Sequence, residues 1–226
     1  MVALLLVGGV LLALPAVCSP MSEIVVTGAA GGSHLDLQVS EGMLTVEGAM
    51  DPAESSGCSY GRHNRARCRL DQVGRLEVRT KEAGDKVQVL NPLPVPLTVY
   101  LGNGSDKFIG NDEPDTCYSE GARRNRCIGG GGNDTCITGS QNSDCVGGPG
   151  DDVCRHGGGS DGCWGGPGDD VCYMGAGEDG CHGGPGNDRL FGGPGTDRLY
   201  GGPGFDYCDG GPGVGHSYEC EAGARG

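Results

Sequence analysis

A nine-residue period constrains this chain more than any other feature of its sequence. From Leu101 onward it divides into LGNGSDKFI, GNDEPDTCY, a ten-residue SEGARRNRCI, GGGGNDTCI, TGSQNSDCV, GGPGDDVCR, HGGGSDGCW, GGPGDDVCY, MGAGEDGCH, GGPGNDRLF, GGPGTDRLY, GGPGFDYCD and GGPGVGHSY. A repeat this regular sets the architecture before local propensities are weighed. A second period lies on top of it. GGPGDDVCR-HGGGSDGCW is followed by GGPGDDVCY-MGAGEDGCH, so near-identity returns after eighteen residues. The simplest coil has two nonapeptides per turn, with alternate units on opposite flanks of a flattened right-handed solenoid. Successive strand residues point to opposite faces. Position eight should then face the interior and position nine the outside.

Composition agrees that an ordinary globular core is out of reach. Among 226 residues there are 48 glycines, 30 acidic residues, three Phe and one Trp. Glycine raises the entropy cost of folding and buries no side chain. Order must come from something besides apolar burial. The charge is uneven: residues 101–226 hold twenty acidic against eight basic residues, a balance of −12, whereas 21–100 are near neutral at −2. An acidic C-terminal half would repel a phosphate backbone, which argues against nucleic acid as a partner. Cations are the natural partners.

Residues 1–20 read as a secretory signal peptide, with the apolar run MVALLLVGGVLLALPAV. The run is short for a membrane span, so no membrane crossing is expected. It lacks a positive n-region, and cleavage is expected near Cys18–Met21. A lipid anchor on Cys18 is the weaker alternative, because Pro15-Ala16-Val17 fits that motif poorly. Cys18 aside, twelve cysteines remain: Cys58, Cys68, Cys117, Cys127, Cys136, Cys145, Cys154, Cys163, Cys172, Cys181, Cys208 and Cys220. An even count behind a signal peptide points to an oxidising, extracellular setting and to disulfides.

The segment 21–100 is different in kind. Alternating or β-branched runs at Glu23–Thr27, Leu35–Val39, Met43–Glu47, Arg75–Arg79, Lys86–Leu90 and Leu97–Leu101 are punctuated by Gly, Asn and Pro. These are strand signals, and no helix-period stretch occurs. Cys58 and Cys68 bracket the polar loop SYGRHNRAR and are expected to close it. The fold expected is all-β: a small N-terminal β segment over 21–100, a parallel β-roll over 101–218 and a short tail over 219–226.

The nonapeptides resemble the RTX, or hemolysin-type, calcium-binding repeat, GGxGxDxUx with U apolar. Gly183-Gly184-Pro185-Gly186-Asn187-Asp188-Arg189-Leu190-Phe191 matches at every defined position, as does the next unit through Tyr200. The strands leading into GNGSD also look like the N-terminal part of small secreted proteins of this type. Three features depart from the family. The export signal is N-terminal rather than C-terminal, no protease or pore-forming segment accompanies the repeats, and position eight is mostly cysteine.

The resemblance implies that two loops one turn apart sandwich a calcium ion. The chemistry is apt, since calcium takes six to eight oxygen ligands from carboxylates and carbonyls. Glycines let several carbonyls point at one spot, and the sixth residue adds a carboxylate. The sixth positions are Asp106, Asp115, Asp134, Ser143, Asp152, Asp161, Asp170, Asp179, Asp188, Asp197, Asp206 and Gly215. Asp134, Asp152, Asp170, Asp188 and Asp206 form an unbroken row on one flank. Asp161, Asp179 and Asp197 lie on the other, between Ser143 and Gly215. Solvated turn aspartates explain single cases but not a fixed phase relative to glycine. Stacked carboxylates repel without a cation, so several calcium ions are expected to take part in folding.

Cysteines at position eight are either small apolar core residues or disulfides. Stacked neighbours about 4.8 Å apart fall within reach of a bridge, and cysteines on opposite sheets can also meet across a narrow core. Zinc fits poorly, because the spacing is nine rather than the short pairs of zinc sites. Trp164, Tyr173, His182, Phe191 and Tyr200 at position nine are expected to stack outward as a stabilising ladder, or to form a contact surface for a partner. His156, His182 and His216 fall at different repeat positions with no recurring serine or acid, so no catalytic role is expected. The function expected is a secreted calcium-binding repeat protein with a structural or surface-interaction role. The alternatives are a module left from a larger secreted enzyme or toxin, and a disulfide-braced adhesin-like protein.

Overall fold

A computed structural model describes residues 23–222, apart from 51–57, 62–63, 71–72, 92, 120, 122 and 214, plus the backbone of Leu4–Val7 and Val10–Ala13. Those two leader segments pair as antiparallel strands. The expected cleavage site and Cys18 lie outside the described residues.

The solenoid is made of two facing sheets. The first has nine strands, all parallel: Glu23–Thr27, Arg75–Arg79, Leu97–Leu101, Asp115–Ser119, Thr135–Thr138, Val153–Arg155, Val171–Tyr173, Arg189–Phe191 and Tyr207–Asp209. The second has twelve strands. Nine of them alternate with those of the first sheet, from His34–Ser40 to His216–Tyr218. Within the repeats the register steps by eighteen residues, as in Val153↔Val171 and Gly162↔Gly180. Each turn of the coil is thus two nonapeptides, as the double period requires. Both sheets run without a break from the N-terminal strands into the repeats.

Three antiparallel strands extend the second sheet at its N-terminal edge: Met43–Gly48, Arg65–Arg69 and Cys58–Tyr60. The last two correct the expected polar loop between Cys58 and Cys68, which is a β-hairpin. Arg65-Ala66-Arg67-Cys68-Arg69 alternates, burying Ala66 and Cys68 while the arginines face out. Arginine at every second position hid that period. Cys58 pairs directly opposite Cys68, and the two form a disulfide.

The core changes character along the axis. At the N-terminal end it is aliphatic, with Ile24, Val26, Leu35, Leu37, Leu44, Val46, Leu76, Val78, Val87 and Val99 buried. Phe108 follows, and then position eight contributes one buried cysteine per unit from Cys117 to Cys181, before Leu190, Leu199 and Cys208. Disulfides join the two sheets across this core: Cys117–Cys127, Cys145–Cys154 and Cys163–Cys172, with Cα–Cα distances of 6.3–6.7 Å. Cys208 is joined to Cys220 in the closing segment.

Two of the twelve candidates do not pair. Cys136 and Cys181 are buried free thiols. Cysteines 117 to 181 zigzag between the sheets, and every bridge among them joins neighbours in that zigzag. Cys136 lies between Cys127 and Cys145, both already bonded, while Cys181 lies between bonded Cys172 and Leu190. Cys154, Cys163 and Cys172 bring their Sγ atoms within 4.8 Å of one another. Those sulfurs belong to two disulfides and offer no thiolate for zinc.

Outside the core, position-nine rings stack. On the second sheet Trp164, His182, Tyr200 and Tyr218 form a column with centroid spacings of 6.4, 4.6 and 4.8 Å. On the first sheet Tyr173 stacks on Phe191 at 4.9 Å, and the Arg155 guanidinium lies over Tyr173.

Candidate metal centre

The loops that join the sheets form two flanks. Loops 129–134, 147–152, 165–170, 183–188 and 201–206 lead into the first sheet and make up the first flank. Loops 138–143, 156–161, 174–179 and 192–197 lead into the second sheet and make up the second flank. Glycine is needed in these loops for more than flexibility. Gly166 and Gly168 hold φ of +122° and +145°, where an L side chain is strained.

Every sixth-position aspartate is buried, and all but Asp115, which accepts the Asn111 N–H of its own loop, play the same part. One carboxylate oxygen accepts the backbone N–H of the sixth residue one turn earlier. On the first flank Asp115, Asp134, Asp152, Asp170 and Asp188 donate in succession to Asp134, Asp152, Asp170, Asp188 and Asp206 at 2.7–2.8 Å. Asp206 N–H donates to Glu221 Oε2 at 2.7 Å, which ends the row. On the second flank Asp85 donates to Asp106 and Asp106 to Asn125, both at 2.8 Å. Ser143, Asp161 and Asp179 donate to Asp161, Asp179 and Asp197 at 2.7–3.0 Å.

The second oxygen has no partner. Oδ2 of Asp106, Asp134, Asp152, Asp161, Asp170, Asp179, Asp188, Asp197 and Asp206 is buried without a hydrogen bond, as is Oδ1 of Asp115. A buried unpaired carboxylate oxygen is costly, so each must take up a proton or a counter-charge. Asp115, Asp134 and Asp152 line a small cavity shared with Cys136 and Cys154, so these carboxylates face inward.

The first-position glycine completes the cradle. A Cβ on Gly147 would lie 2.1 Å from Asp152 Oδ2 and 2.7 Å from the Gly165 carbonyl oxygen. The same arrangement recurs at Gly165 with Asp170 and Gly183, and at Gly183 with Asp188 and Gly201. Each of these units therefore brings a carboxylate oxygen and a carbonyl of the next turn to a place no side chain can share. An oxygen-only donor set of this kind suits a hard cation such as calcium.

Electrostatics point the same way. Burial, partly opposed by the backbone hydrogen bond, pushes Asp134 and Asp170 up to about 8. Asp115 and Asp161 rise to about 7, and Asp106, Asp152, Asp179 and Asp188 to about 6. Asp197 and Asp206 rise as well, again through burial. Neighbouring carboxylates add to the rise at Asp134 and Asp170. A bound cation would reverse it by favouring the charged form.

All ten candidate aspartates thus fall into the two rows. The geometry adds three members that repeat counting missed. Asp85 heads the second-flank row, and its N–H acceptor role toward Ser33 matches that of the others. Its signal was the segment Gly84-Asp85-Lys86-Val87, which parallels Ser105-Asp106-Lys107-Phe108. Asn125, seventh in the irregular ten-residue unit and two before its cysteine, takes the part of a sixth-position aspartate, and Glu221 substitutes for an aspartate at the end.

The fold is a parallel β-solenoid whose loops carry two rows of buried carboxylates. Four copies of the RTX calcium-binding nonapeptide repeat match the chain, over residues 125–144, 146–163, 164–180 and 182–215. Residues 125–215 are therefore an array of RTX calcium-binding repeats, and Ca2+ is the cation expected of them. A comparison with curated proteins finds no match to this chain.

Proposed function

We propose that this is a secreted protein in which calcium ions, taken up by the aspartate rows, stiffen a rod-like scaffold with a structural or surface-interaction role and no catalytic activity. The observation that carries the reading is the run of buried aspartates, each with one oxygen held by the neighbouring turn and the other left without a partner. Asp134, Asp152, Asp170, Asp188 and Asp206 supply the carboxylates of the main row, and first-position carbonyls lie beside Asp152, Asp170 and Asp188. Five disulfides support an oxidising extracellular location. The apolar leader supports export. Against catalysis stands His156: it is buried, with Nδ1 2.9 Å from Thr138 Oγ1 and no hydrogen bond at Nε2.

The cross-core disulfides favour a second reading, a disulfide-braced interaction protein in which calcium is secondary. Calorimetric calcium titration of the oxidised protein, paired with circular dichroism in calcium and in chelator, separates the two. Binding of several ions with a gain of ordered β signal supports the first reading. Binding that leaves the spectrum unchanged supports the second, and absence of binding overturns the calcium role.

A further inference from the structure

The two flanks are not equivalent. On the first flank, position one is glycine in every repeat from Gly129 to Gly201, because the carboxylate oxygen of the same unit stands where a Cβ would go. On the second flank, position one is Thr138, His156 and Met174 in successive turns, and only then Gly192. Thr138, His156 and Met174 are all buried. They form a column at eighteen-residue spacing, and Ser119 extends it by one turn, paired with Thr138 in the first sheet.

These side chains fill the space that the first flank keeps open. His156 Nδ1 lies 3.9 Å from Asp161 Oδ1, against the carboxylate of its own unit. It also lies 2.9 Å from Thr138 Oγ1, so the column is packed and hydrogen-bonded within itself. The earliest turn of the column has lost more. Ser143 stands at position six, and Gln141 replaces the fourth-position glycine. Gly192 restores the open geometry: a Cβ there would lie 2.6 Å from Asp197 Oδ2 and 2.9 Å from the Gly210 carbonyl oxygen.

We propose that calcium loading is one-sided. Ions are held along the first flank and at Asp197, while Thr138, His156 and Met174 plug the second flank across residues 138–179. This rests on the calcium reading above and assigns Asp161 and Asp179 a different task from Asp152 and Asp170. Asp161 and Asp179 serve as acceptors that fix the backbone of the preceding turn, a role that needs no cation. Across residues 138–179 the second flank is then a permanent seam, closed by side chains, and calcium acts along the first flank and at Asp197.

Paired asparagine variants test this, because Asn keeps the Oδ1 acceptor and removes the charge. We expect D152N/D170N to lower the number of ions bound, measured calorimetrically and by metal analysis after desalting. We expect D161N/D179N to leave that number unchanged. Equal losses in the two pairs would overturn the one-sidedness and leave the calcium reading intact. Failure of the wild-type protein to bind calcium would overturn both. A gain-of-site variant gives an independent readout: H156G/M174G, with its fold checked by circular dichroism, should bind at least one ion more than the wild type. An unchanged count in a folded H156G/M174G protein would contradict the plug.

Discussion

Replacing Asp170 by Asn separates the two jobs of a row carboxylate. Oδ1 accepts the Asp152 N–H at 2.7 Å, and Oδ2 is buried without a partner. Asn keeps the acceptor and removes the charge. Burial, aided by Asp152 and Asp188, raises the Asp170 carboxyl from 3.8 to about 8. Since the folded value lies above the unfolded one, this group favours the fold most below pH 4. That contribution is lost as pH rises from about 4 to 8. At ~1.4 kcal/mol per tenfold change in the ionisation constant, that rise sets an upper limit of about 6 kcal/mol. Residual hydration and side-chain relaxation reduce that, and we expect about 2 kcal/mol. In chelator at pH 8, Asp170→Asn should therefore raise Tm, by about 5 °C for a domain of this size. In saturating calcium the order should invert, because the variant has lost a ligand. The assay is thermal unfolding of the oxidised protein followed by circular dichroism in both buffers. A variant less stable than wild type in both would refute the reasoning, since the carboxylate would then stabilise the fold without a cation.

Three further outcomes follow from the same geometry. Calcium binding should release protons and strengthen between pH 6 and 8, where Asp134 and Asp170 ionise; calorimetry in buffers of different ionisation enthalpy measures the release, and none at pH 7 would contradict it. The oxidised chain without its leader should carry two free thiols, Cys136 and Cys181, whose burial pushes their ionisation well up; they should react with a thiol reagent only after unfolding, and ready reaction in the native state would count against a closed core. Glu221→Ala leaves the Asp206 N–H without its acceptor and should cost about 1 kcal/mol, seen as faster amide exchange confined to the last turn.

The repeat array was legible in the sequence because its signal is periodic. The eighteen-residue return implies the register Val153↔Val171, and the fixed place of Asp six residues into each unit implies the rows. Where the period slips, the sequence is mute. The ten-residue unit hides Asn125, whose amide oxygen does the work of a carboxylate oxygen. Asp85 sits in a segment with a different spacing, twenty-one residues before Asp106, so no nine-residue count reaches it. The pairing of cysteines was undecidable for a related reason. All position-eight cysteines are alike locally, and whether Cys145 bonds Cys136 or Cys154 is not written in the sequence. That choice leaves Cys136 and Cys181 over.

The change of core along the axis suggests how the molecule is held. In the N-terminal turns each strand buries two or three aliphatic side chains, as with Leu76 and Val78, or Leu35 and Leu37, and apolar burial alone can order them. In the repeats each nonapeptide buries one small side chain at position eight, while six loop residues, rich in glycine, must still be fixed. Their backbone entropy is large and the apolar return is small. Bridges across the core limit the unfolded ensemble, and cations on the first-flank row would neutralise the carboxylates that tie each loop to the next. Neither substitutes for the other. Cys163–Cys172 joins the sheets at their centre, and Asp170 acts in the loop before its strand. A chain with its disulfides intact but without calcium should therefore keep its facing strands and loosen first along the loops of Asp152, Asp170 and Asp188. The N-terminal turns, ordered by aliphatic burial and braced by Cys58–Cys68, should keep their structure in chelator.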